Sequence, residues 1–116
     1  MVHVATTIFL NEGMIDDAIA ACNNHDRWAS LEVVLDVGSA AVRVQPSWVI
    51  DRLSREAFAI IQAGRSPQYR EAAALLELVR DAYREQENDA GWTAMKSGTL
   101  AEHSRKYALM PLIRPL

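Results

Sequence analysis

Between Gln45 and Gln86 the chain reads QPSWVIDRLSREAFAIIQAGRSPQYREAAALLELVRDAYREQ, two amphipathic stretches parted by Gly64-Arg65-Ser66-Pro67. Apolar residues recur at helical spacing in both, Ile50, Leu53, Ala57, Ile60 and Ile61 in the first and Tyr69, Ala72, Ala73, Leu76, Val79 and Tyr83 in the second. The break is too short to carry the second stripe away from the first, so the two helices are expected to fold back as an antiparallel hairpin. Ser47 and Ser66 are the expected N-caps, with Pro67 at the first helical position. Asp51, Arg52, Arg55 and Glu56 are expected to face outward from the first helix. Arg70, Glu71, Glu77, Arg80, Asp81, Arg84 and Glu85 form a solvated charged face on the second.

Further helices are expected to stack on this hairpin. Residues 2–11 and 14–23 carry short apolar stripes, the second through Ile15, Ala18, Ile19 and Cys22, with Asn11-Glu12-Gly13 as the stop between them. A third helix is predicted over residues 27–44, capped by Asp26 and ended by Gln45-Pro46, with Trp28, Leu31, Leu35, Gly38 and Val42 on its buried face and Val34 and Ala41 beside them. Its β-branched run Val33–Val37 invites a strand, but the apolar residues do not alternate with polar ones and the helical period continues to Ala41. Gly38 in mid-helix costs about 1 kcal/mol against alanine and is expected to let a neighbouring helix approach closely. After a turn at Asn88-Asp89-Ala90-Gly91, a last helix is predicted over 92–110, broken near Gly98 with Thr99 capping its second piece. Residues 1–110 then form one all-α domain of about six antiparallel helices, and 111–116, with Pro111 and Pro115, a fraying tail.

Composition agrees. Half the residues are hydrophobic and 23% charged, ordinary for a globular chain that at 116 residues can bury a core without staples. Six acids and two bases fall in residues 1–50, nine acids and ten bases in 51–116, so neither half is the polycation that a large phosphate footprint requires. The lone Cys22 excludes an internal disulfide and any multi-cysteine metal site, which suits a reducing, cytoplasmic setting. No apolar run reaches the ~20 residues of a membrane span, and the N-terminus lacks the features of a secretory signal. The chain begins almost inside its first helix, as a piece of a longer protein would.

Two alanines, Ala18 and Ala72, each follow a glycine-containing break, stand three residues after a large apolar side chain (Ile15, Tyr69) and precede another by four (Cys22, Leu76). A small residue at such a place lets two helices cross at short distance. The pattern resembles the tetratricopeptide helical hairpin, although 72 − 18 = 54 residues is not one regular repeat of about 34. An irregular tetratricopeptide-like array is therefore expected.

From Val33 onward the chain carries Gln45-Pro46-Ser47-Trp48-Val49-Ile50, Ala63-Gly64-Arg65 with Tyr69, Ala72-Ala73 and Leu76, then Trp92, and His103-Ser104-Arg105-Lys106-Tyr107-Ala108-Leu109-Met110. In this ordered set it resembles the C-terminal helical region of SWIM-type zinc finger proteins. The resemblance implies a neighbouring Cys-x-Cys…Cys-x-His zinc module serving nucleic-acid or protein binding. That module is absent here, so zinc binding does not carry over, and Gly98 departs from the unbroken helix that the resemblance implies.

No residue set makes a catalytic claim. His3, His25 and His103 share no helical face with further ligands, Cys22 lies on an apolar stripe without a base beside it, and one glycine at the Gly64 break makes no phosphate cradle. Trp28, Trp48 and Trp92 are expected as core anchors at helix ends. The sequence thus predicts a non-catalytic scaffold that binds a protein partner, without cofactor or metal, and with a second copy of the chain as a further candidate to cover the open end of the array. Arg52, Arg55, Glu56, Arg105 and Lys106 are the candidate partner-binding residues. The alternative is an accessory nucleic-acid-binding module using the basic group Arg105, Lys106 and Arg114.

Overall fold

A computed structural model of the chain describes residues 18–20 and 31–116. The helix expected over 2–11, the Asp26 cap, and His3, Cys22, His25 and Trp28 lie outside these residues. The described part is all-α. Residues 18–20 are helical, and then come α1 (Leu31–Ala41), α2 (Pro46–Gln62), a 3-10 turn (Ser66–Gln68), α3 (Tyr69–Glu85), α4 (Asp89–Glu102) and the short α5 (Met110–Ile113). No strand occurs among the described residues, and Val33–Val37 is helical as the continuing period required.

α2 and α3 form the most extensive interhelical contact, and α3 also touches α1, α4 and α5. The chain returns on itself between α2 and α3. At the end of α3, the Gln86 amide donates to Ser47 Oγ at the start of α2, 2.9 Å away. The reversal at the other end is closed by Gly64 at φ +68°, where the Gly64 N–H donates to the Ile61 carbonyl and the Arg65 N–H to the Ile60 carbonyl. Those two bonds satisfy carbonyls that a helix end otherwise leaves open, and glycine takes the left-handed conformation without a Cβ penalty. Val49, Leu53, Ala57, Ile60 and Ile61 of α2 pack in one core with Tyr69, Ala72, Leu75, Leu76, Val79 and Ala82 of α3. Each large aliphatic side chain so buried contributes about 1.5–3 kcal/mol.

α1 is buried on two sides. Val34, Ala41 and Val42 join the main core, whereas Val33 and Val37 pack with Ala18, so the buried face is wider than the predicted stripe. Leu35 is only half-buried. At Gly38, an added Cβ would lie 2.6 Å from Leu53 Cδ2, so glycine does let α2 come close at this point.

Several boundaries differ from the sequence reading. Ser47 is not a cap: Gln45 occupies the cap position of α2, and Pro46, expected to close the previous helix, opens this one. α4 begins at Asp89 because Asn88 is its N-cap, its side chain accepting from the Gly91 N–H at 3.0 Å. Thr99 caps nothing. It lies inside α4 with its hydroxyl donating to the Met95 carbonyl at 2.8 Å, and the helix runs through Gly98 without a break. It stops at Glu102, where the His103 N–H donates to the Thr99 carbonyl at 3.1 Å and closes the helix. Residues 111–116 are not a frayed tail. Leu109, Met110 and Ile113 are buried in the main core, with Leu112 and Leu116 packed against it.

Candidate functional site

The C-terminal halves of α2 and α4 do not close on each other. They leave a cleft of about 300 Å³ lined by Phe58 and Gln62 of α2, by Ala94, Met95, Gly98, Thr99 and Glu102 of α4, and by His103 just beyond it. Residues four apart on a helix share a face, which is why Phe58 and Gln62 point into it together, as do Ala94, Gly98 and Glu102. The space exists because α4 presents small residues here: a Cβ built on Gly98 meets nothing within 4 Å. Phe58 and Met95 are half-buried walls. Gln62 and Glu102 form a polar rim, and His103, with 9% of its surface exposed, lies at the end of the helix. His103 Nε2 stands 4.0 Å from Glu102 Oε2, an ion pair only when the imidazole is protonated.

Such a cleft can hold one bulky apolar side chain against Phe58 and Met95, while the rim offers an amide and a carboxylate to polar groups beside it. Its volume lies at the small end of the ligand-pocket range, ~300–1,000 Å³. Among the described residues no three His, Cys, Asp or Glu side chains converge as metal ligands would.

The sequence-derived contact residues do not form one patch. Arg52 does not face outward: it is 1% exposed, its Nε donating to Glu56 Oε1 at 3.1 Å, and it has further interactions besides that pair. Burial removes it as a surface contact. Its place on the helix explains the burial, because Arg52 follows Val49 by three residues and sits on the edge of the apolar stripe. Glu56 is half-buried as its partner, and Arg55 is exposed, one turn before Phe58 on the face that leads into the cleft. Arg105 is exposed and Lys106 half-buried, both on the turn after α4. Among the described residues no hydrogen bond or ion pair joins them to the α2 set.

Sequence reasoning passed over the cleft itself. Gly98 was the available signal, a helical glycine whose missing side chain opens space. Tyr107 was also missed: assigned to the second piece of the last helix, it lies on the turn beyond α4 and is 81% exposed. Trp92 is a buried core residue as expected, and Trp48 packs half-buried between the two core clusters. No helix among the described residues is long and apolar enough to cross a membrane. No protein-family model, curated protein or solved structure matches the chain, so the likeness to the SWIM-associated helical region rests on the residues quoted above.

Proposed function

We propose that the chain is a non-catalytic scaffold, a tetratricopeptide-like stack of about six antiparallel helices that binds a protein partner in the α2–α4 cleft. One observation carries the reading: the cleft has half-buried Phe58 and Met95 at its centre and Gln62 and Glu102 on its rim. That is the plan of a protein interface, an apolar centre inside a polar border, and methionine adapts its shape to what it receives. The return of α3 along α2, and Ala72 buried between large side chains of both helices, support the hairpin array.

Site-specific photo-cross-linking tests this. A benzoylphenylalanine at position 62 or 94 reports on the cleft, and one at position 77, on the charged face of α3, serves as control. In the native cell extract, positions 62 and 94 should give the same discrete protein adduct, position 77 should not, and Gly98→Leu should remove it by filling the cleft. Equal labelling from all three positions, or an adduct indifferent to Gly98→Leu, would overturn the assignment.

A further inference from the structure

A second surface lies on the turn between α4 and α5. It starts at buried His103 and ends at fully buried Leu109. Backbone hydrogen bonds brace it, from the Lys106 N–H to the His103 carbonyl (2.9 Å) and from the Leu109 and Met110 N–H groups to the Lys106 carbonyl (2.9 and 3.2 Å). From this fixed frame Tyr107 projects into solvent. Together with Val44 it is one of two large hydrophobic side chains left exposed among the described residues. Exposed Arg105 and half-buried Lys106 precede it, and among the described residues no carboxylate pairs with either.

We propose that Arg105, Lys106 and Tyr107 form a docking surface for a short acidic segment of a protein partner. Carboxylates of the segment pair with the two cations, and an apolar side chain between them lies on the Tyr107 ring. Tyrosine and arginine are the side chains that most often carry interface energy, and a turn already held by its own hydrogen bonds loses little freedom on binding. Charge decides between an acidic peptide and a nucleic acid. Residues 51–116 hold nine acids against ten bases and the whole chain carries −3, so the chain has no excess of positive charge to hold an extended polyanion. A short acidic segment needs only the two local cations. The proposal rests on the scaffold reading but uses a surface apart from the α2–α4 cleft.

Fluorescence polarisation with the full chain provides the test. The probes are a short fluorescein-labelled peptide alternating aspartate, glutamate and leucine, and a thymidine oligonucleotide of matched charge, each titrated across a salt series. The peptide should bind more tightly than the oligonucleotide and weaken as salt rises. Tyr107→Ala should weaken it about ten-fold, the double change Arg105→Glu with Lys106→Glu should abolish binding, and Gly98→Leu should leave it unchanged. The side chains of Tyr107 and Arg105 are exposed, so a matching far-UV circular dichroism melt separates lost contact from lost fold. Absence of peptide binding at low salt, variants that bind like the parent, or tighter binding of the oligonucleotide would each overturn the proposal. Cross-links from position 62 would survive its failure, which keeps that failure distinct from a failure of the scaffold reading.

Discussion

The substitution Gly38→Ala tests the close approach of α1 to α2. An alanine Cβ at this position would stand 2.6 Å from Leu53 Cδ2, 3.1 Å from Cδ1 and 3.4 Å from Cγ. Carbon atoms rest at about 3.5–4.0 Å, so the end of Leu53 must retreat by roughly 1 Å from the new methyl group. Leu53 is fully buried, and its retreat costs about 1–3 kcal/mol through a strained rotamer or a spread helix pair. Alanine in place of glycine returns about 1 kcal/mol of helix propensity. The net expectation is a loss of about 1 kcal/mol. Gly98→Ala is the internal reference, since it makes the same chemical change in mid-helix with open space around the new Cβ. It should stabilise by about 0.5–1 kcal/mol. Urea denaturation followed by circular dichroism reads both. A double-mutant cycle then assigns the cause, because with Leu53→Ala in the background the clash is gone and Gly38→Ala should become stabilising. A coupling of about 1 kcal/mol or more is expected. Gly38→Ala more stable than the parent, or strictly additive with Leu53→Ala, would show that α1 and α2 do not meet at this point.

Three further changes probe the core and the helix ends. Glu87 sits at φ +55° in the left-handed position that ends α3, with the Asn88 N–H donating to the Tyr83 carbonyl; Glu87→Gly should raise stability by about 0.5–1 kcal/mol in urea titration. Arg52→Glu, which places a carboxylate beside Glu56 in a buried site, should cost more than about 3 kcal/mol, whereas Glu56→Ala should cost about 1–3 kcal/mol because half-buried Glu56 is not the sole partner of Arg52. Ile113→Ala should cost about 2–4 kcal/mol, a loss that a solvent-exposed tail would not show in the same titration.

The two long helices were readable because their stripes are long and regular: Leu53, Ala57, Ile60 and Ile61, then Tyr69, Ala72, Leu76 and Val79, all buried where the 3.6-residue period put them. Reading failed where one residue type carries two meanings. Arginine was read as a surface residue, yet Arg52 lies beside Val49 on the helical wheel, and its position was the better guide than its charge. Proline was read as a terminator at Pro46 and Pro111, whereas both stand in the first turn of a helix, where the missing N–H costs nothing. Leu109, Met110 and Ile113, spaced one and four apart, already held the pattern of a buried turn. The cleft was not readable in that way, since it depends on how α4 lies across α2, and no periodicity within either helix reports the distance between them.

α4 differs from its neighbours in a way that bears on partner binding. α3 buries Tyr69, Ala72, Leu75, Leu76, Val79 and Ala82, whereas α4, nearly as long, buries only Trp92 and Thr99. Gly91, Gly98, Thr93 and Thr99 add low helix propensity to that thin anchor. α4 is therefore the long helix with the least holding it, and its amides should exchange with solvent faster than those of α2 and α3 in a native-state hydrogen-exchange experiment. A partner side chain seated between Phe58 and Met95 would bury the open side of α4, so its arrival should slow exchange in α4 before it slows exchange elsewhere. Gly98→Ala should also slow α4, through propensity alone and without a partner. If partner binding left α4 exchange unchanged while protecting the turn at Tyr107, the contact would lie on that turn alone, and the cleft would be a packing consequence of small residues on α4.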